Sequence, residues 1–176
     1  MLEKATLICI DDKSKSIDFM FNPKELSFEG NVESNENKGS RSEKSGKPKV
    51  SFSNIKSYAV KINNILIDTY ETGENVLNYI NFFKNAVKFV DNKQRPPIYK
   101  FSWGKQVYLE YCFVEKVNYK LTMFLSDGTP VRAVIDNLSL KETDSSVMDD
   151  SKPPKTEPDR KKDSQNSRLG KKQRRQ

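Results

Sequence analysis

Asp68 and Glu71 flank Tyr70 just ahead of a helical pattern, and paired carboxylates at such spacing can perform acid–base chemistry. The same positions suit a helix N-terminus, where the macrodipole favours acidic side chains without any chemistry. Asp127 sits in Ser126-Asp127-Gly128-Thr129-Pro130, where aspartate is simply a good turn former. Trp103, before Gly104, could stack against a ligand ring, but a lone tryptophan at a strand end is more often core or interface. Cys9 and Cys112 each lie in an apolar stretch and read as buried, inert thiols, with a disulfide between them left open. Histidine is absent, and no Cys-x-x-Cys or glycine-rich phosphate loop occurs. Common zinc sets and every histidine-based mechanism are thereby excluded. No residue pattern calls for catalysis, a metal or a cofactor, so the chain reads as a non-enzyme.

The elements that must position these residues are mostly strands. Lys4 to Ile10 and Ser16 to Phe21 read as two short strands, the second placing Ile17, Phe19 and Phe21 on one face. Asn22-Pro23 stops that run, because proline offers no ladder donor. Glu25 to Glu29 resumes extended, with Leu26 and Phe28 inward. Val50 to Tyr70 alternates again. Val76, Tyr79, Ile80, Phe83, Ala86, Val87 and Val90 then form one helical stripe, with Thr72 as the expected N-cap. Ile98 to Trp103, Val107 to Val117 and Val117 to Leu125 follow as strands, and the Asp127-Gly128 turn returns the chain through Val131 to Leu140 as a hairpin. About eight strands and one main helix imply a mainly β fold, a partly closed antiparallel barrel or sandwich.

Composition bounds the rest. The apolar share is 35% and the charged share 31%, and the apolar deficit sits in residues 30–49 and 143–176. Without those segments roughly 120 residues remain, enough for one core. The expected organisation is a folded domain over 1–142, a long mobile polar loop over 30–49, and a disordered basic tail over 143–176. Ten basic and six acidic residues lie from Thr143 onward, so the tail carries +4 of the net +7. A basic tail on a small barrel is compatible with nucleic-acid binding. Asp149, Asp150, Glu157, Asp159 and Asp163 interrupt it, however, and the body shows no basic-aromatic stripe, so nucleic acid is not the expected partner. No apolar run approaches the ~20 residues of a membrane-spanning helix, so no membrane insertion is expected. The first residues read as a strand rather than a signal peptide, which points to synthesis in a cytoplasm.

The order of motifs resembles one family. Phe21-Asn22-Pro23-Lys24-Glu25-Leu26-Ser27-Phe28, a long polar stretch, then Ile65-Leu66-Ile67-Asp68-Thr69-Tyr70-Glu71-Thr72-Gly73-Glu74 are similar to segments of the contractile injection system tube-protein family. Pro96-Pro97, Phe101-x-Trp103-Gly104 and Asp127-Gly128-Thr129-Pro130-Val131-Arg132-Ala133 follow in the family's order. The resemblance spans about Ala5 to Glu142. It implies a domain like phage tail-tube subunits, joining a six-membered ring at the baseplate end of a sheath-and-tube particle. It further implies an adaptor between spike hub and inner tube, assembled in the cytoplasm into a particle open to release. The motif residues Phe21, Asn22, Pro23, Asp68, Thr69, Tyr70, Glu71, Trp103, Gly104, Asp127, Gly128, Pro130 and Arg132 are carried over as assembly residues. Many members continue into a LysM-type module, whereas this chain continues into its charged tail. Lys171, Lys172, Arg174 and Arg175 are the expected tail contacts, toward an acidic partner surface.

Overall fold

A computed structural model describes residues 2–41, 48–91 and 93–148. Nine strands and one α-helix follow one another among the described residues: β1 (Ala5–Cys9), β2 (Ile17–Asp18), β3 (Ser27–Glu29), β4 (Val32–Arg41), β5 (Pro48–Ile55), β6 (Ala59–Asp68), α1 (Leu77–Ala86), β7 (Tyr99–Trp103), β8 (Gln106–Phe124) and β9 (Pro130–Glu142). Seven strands form one antiparallel sheet in the order β2-β1-β7-β8-β9-β6-β3, strongly curled into a half-barrel. The fold is therefore mainly β with one helix.

β8 makes the curl. Its first part, Gln106 to Cys112, pairs with β7, and its remainder, Cys112 to Phe124, pairs with β9. Cys112 is the pivot, opposite Tyr99 on one side and Glu142 on the other. The sequence suggested two strands meeting at Val117; they are one strand of 19 residues, kept apart in pairing by its change of neighbour. Register shifts along both ladders supply the extra twist that bending requires.

Period-two alternation sends one face of each strand inward. Leu7, Val60, Ile62, Ile65, Ile67, Ala133, Ile135, Leu138 and Leu140 are buried, and α1 covers them with Val76, Ile80, Phe83 and Ala86. Phe19 joins the layers, edge-on to Phe83 with ring centroids 6.2 Å apart and tilted against Phe101 at 6.3 Å. The opposite sheet face is polar, with Lys61–Glu29, Lys141–Glu115, Lys120–Asp136 and Arg132–Asp68 ion pairs across it. Cys9 and Cys112 are free and buried, in line with the reading of inert thiols. Burial raises both thiol pKa values, and that of Cys112 is pushed up to about 12, with the Glu142 charge adding a smaller push.

Four local readings are corrected. Phe21 does not share the buried face of Ile17 and Phe19; β2 ends at Asp18, and Phe21 is 48% exposed. Phe28, read as inward, is only partly covered, stacking on Tyr58 and tilted against Tyr108. The helix starts at Leu77, so Thr72 caps nothing; Asn75 accepts from the Leu77 amide instead. The buried arc of α1 is also narrower than the stripe, because Tyr79 and Val87 remain exposed at its flanks.

Most of the described part of the polar stretch expected as a loop is strand. β4 and β5 pair antiparallel from Val32↔Ile55 outward, as a two-stranded ribbon separate from the main sheet. It continues the β3–β6 pair, and the Lys56 amide donates to the Asn31 carbonyl at the break. Residues 42–47, also part of that expectation, lie outside the described residues. So do 149–176, on which most of the tail reading falls. Ser145–Met148, counted with the tail, form a short 3-10 turn.

Candidate functional site

The motif residues gather at two points, both of them joints rather than catalytic constellations. The first joint surrounds the backbone of Glu3. The Asn22 carboxamide accepts from the Ala5 amide (3.0 Å) and donates to the Glu3 carbonyl (2.8 Å), so one side chain imitates a neighbouring strand. The Trp103 indole N–H donates to the same carbonyl oxygen (3.2 Å). Gly104 turns the β7–β8 hairpin at φ +58°, and a Cβ there would stand 3.2 Å from the Cβ of Glu3. Pro23 is buried beside Asn22. Trp103 thus works as a fastener of the first strand, not as a stacking platform.

The second joint fixes the strand-to-helix junction onto the β8–β9 turn. Asp68 and Arg132 lie opposite in the ladder, and the guanidinium donates to the carboxylate at 2.9 and 2.6 Å. The Tyr70 amide and then Arg132 hold the Asp68 carboxyl below its ordinary pKa. Thr69, 4% exposed, takes its amide to the Val131 carbonyl (2.8 Å), while its hydroxyl donates to the Glu74 carbonyl (2.6 Å). The Val76 amide donates to the Pro130 carbonyl (2.9 Å), which seats the helix. Asp127 accepts from the amide and hydroxyl of Thr129, both of which lower its pKa, and Gly128 (φ +86°) completes the turn. Glu71 and Tyr70 are exposed in the following turn, so Asp68 and Glu71 do not converge on a substrate position.

One buried charge cluster gave no signal in the sequence. Asp11, whose side chain is 4% exposed, receives a two-pronged contact from Arg95 (2.8 and 2.8 Å), the Lys93 ammonium (3.0 Å) and the Ile98 amide (2.9 Å). Burial alone would raise its pKa; Arg95, the Ile98 amide and Lys93 outweigh it and hold the carboxyl well below the usual range. Asp11 and Arg95 are separated by 84 residues, and no local pattern relates them. The cluster clasps the segment after α1 to the end of β1. Among the described residues no group of three or more His, Cys, Asp or Glu side chains could hold a metal ion. Among them, too, no helix is long and apolar enough to cross a membrane.

Surfaces open to other chains remain. β8 beyond Cys112 has β9 on one side only, and β3 covers only Ala59 to Lys61 of β6. Two of the strand edges left unpaired among the described residues therefore lie on the β8-β9-β6-β3 half of the sheet. Along the first, Val117, Tyr119 and Leu121 are only partly buried against the core. No curated protein matches the chain significantly. Residues 1–149, a span that holds the curled sheet, both joints and the ribbon, match the family described as contractile injection system tube protein. The chain belongs to the contractile injection system tube protein family and is a structural subunit, not an enzyme.

Proposed function

We propose that the chain forms a ring, six subunits to a turn, that acts as an adaptor between the spike hub of the baseplate and the inner tube. The carrying observation is the pair of unlike open edges. A ring needs a heterologous contact, one patch of each subunit meeting a different patch of the next. The open side of β8 and the β3–β6 edge are such patches, and they bound one four-stranded unit. Four is even, so the antiparallel alternation continues unbroken when β8 of one subunit lies against β3 of the next. Closing strands around a ring in this way removes edges that otherwise invite aggregation. Phe21, Tyr70 and Glu71, exposed beside the two joints, are the motif residues positioned for contact; the others act by fixing the scaffold.

The β4–β5 ribbon serves contacts between successive layers of the particle. A hairpin of two strands is at best marginally stable alone in water, so partners are the source of its order. Exposed Val32 and Ile55 pair across its root and give it an apolar foothold. Lys171, Lys172, Arg174 and Arg175 dock on an acidic partner surface. The test replaces residues 32–55 with a short Gly-Ser turn. The shortened chain should fold and melt as before yet fail to enter particles; normal entry would refute the role of the ribbon.

A further inference from the structure

One gap along the half-barrel has the chemistry of a peptide site. An apolar cleft of about 200 Å³ lies between the segment Ser16 to Met20 and strand β6. Its lining is Ile17, Phe19, Ile65, Ile67 and Phe83, all buried, with half-exposed Tyr79 and Phe82 of α1 at the rim. Both walls are open strand edges. β2 is the last strand of the sheet on one side, and on the other β6 beyond Lys61 pairs with β9 alone among the described residues. The Asp68 amide, pointing into this side, finds only the thioether sulfur of Met20 at 3.3 Å, a weak acceptor where a strand would offer a carbonyl. Alternation along β6 turns the amide and carbonyl of Leu66 to the same side. The volume suits a side chain better than a cofactor, since small-molecule sites are typically ~300 Å³ or more. Asp18 is the sole charged residue of the lining; it is exposed and forms no ion pair among the described residues. The lysine of α1 does not compete, because Lys84 lies on the helix flank away from Tyr79 and Phe82.

We infer that this cleft binds an extended segment of a partner protein by strand addition, one large apolar side chain entering the cleft and a Lys or Arg next to it in sequence meeting Asp18. The backbone of the segment pairs with β6 and supplies the carbonyl that Met20 replaces. Asp18 faces away from the core while its neighbour Ile17 faces in, so the cation must be adjacent to the anchor and not two residues away. The site takes the β6 part of the proposed β3–β6 ring edge, which β3 leaves uncovered, and peptide binding by the unassembled chain is read apart from ring assembly.

The test uses the full chain and fluorescein-labelled heptapeptides, Thr-Thr-Arg-Phe-Arg-Thr-Thr with its Glu-flanked analogue and a version N-methylated on alternate amides. Fluorescence polarisation should show the Arg peptide binding at least tenfold more tightly than the Glu and N-methylated forms. Asp18→Lys should reverse the Arg-over-Glu order, and Phe82→Ala should weaken binding without lowering the melting temperature. Amide exchange should slow at Leu66 and Asp68 when the Arg peptide is bound. Equal binding of all three peptides, no binding up to millimolar concentration, or protection elsewhere would each overturn the inference.

Discussion

Asn22 and Trp103 donate to the same acceptor, the carbonyl oxygen of Glu3, from 2.8 and 3.2 Å. The two belong to motifs some eighty residues apart in the chain, and they meet at the start of the first strand. Asn22 also receives the Ala5 amide, so its removal strands that donor and leaves the Glu3 carbonyl with Trp103 alone. Asn22→Ala is expected to cost about 1–3 kcal/mol, the penalty of unsatisfied polar groups. Trp103→Phe keeps a ring and loses only one donor, so about 0.5–1.5 kcal/mol is expected. Urea denaturation of the two variants checks the ranking.

Asp11 should dominate the acid sensitivity of the fold. Its carboxyl has a depressed folded-state pKa, so its stabilisation is fully present above the unfolded value, near pH 4, and is lost as pH falls through the folded value. Asp11→Asn leaves Arg95 and Lys93 without their counter-charge and is expected to cost about 3–5 kcal/mol at neutral pH. The variant should also lose less further stability between pH 5 and pH 2 than the parent chain, as urea midpoints across that range would show.

Neighbouring phenylalanines on α1 should behave oppositely. Phe83 is 3% exposed and meets the ring of Phe19, so Phe83→Ala is expected to cost about 3–5 kcal/mol. Phe82 is 45% exposed, and Phe82→Ala should change stability by about 0.5 kcal/mol or less. Thermal melts of both variants separate the two faces of the helix.

What could be read from the sequence follows from how local each signal is. The Asp127-Gly128 turn and the alternation on either side of it specify the β8–β9 hairpin within a few residues. The helix stripe is equally local, but its edges depend on what it packs against, and the curled sheet leaves Tyr79 and Val87 uncovered. Thr72 has the residue type of a cap, but Thr69 and the Pro130 carbonyl hold residues 69–76 in turns before the helix starts. Strand β4 carries no hydrophobic periodicity, so nothing in its composition separates a ribbon from a loop. The Asp11 cluster and the Asn22–Trp103 meeting are long-range polar contacts, invisible to spacing rules. The motif residues were legible as a set; that most of them are fasteners for the scaffold emerges only from the contacts.

The central claim is that unlike edges of neighbouring subunits meet in a ring, and cross-linking in intact particles tests it most directly. Cys9 and Cys112 are buried, so introduced surface cysteines report without interference. Ser27→Cys on β3 is combined in turn with cysteine at Lys116, Asn118, Lys120 or Thr122, the exposed positions of the open β8 edge. Oxidation of purified particles should give, for at least one pair, a ladder of disulfide-linked species ending at a closed multimer, with single variants giving none. Particles that contain the doubly substituted chain and yield only monomer for every pair would contradict the ring contact.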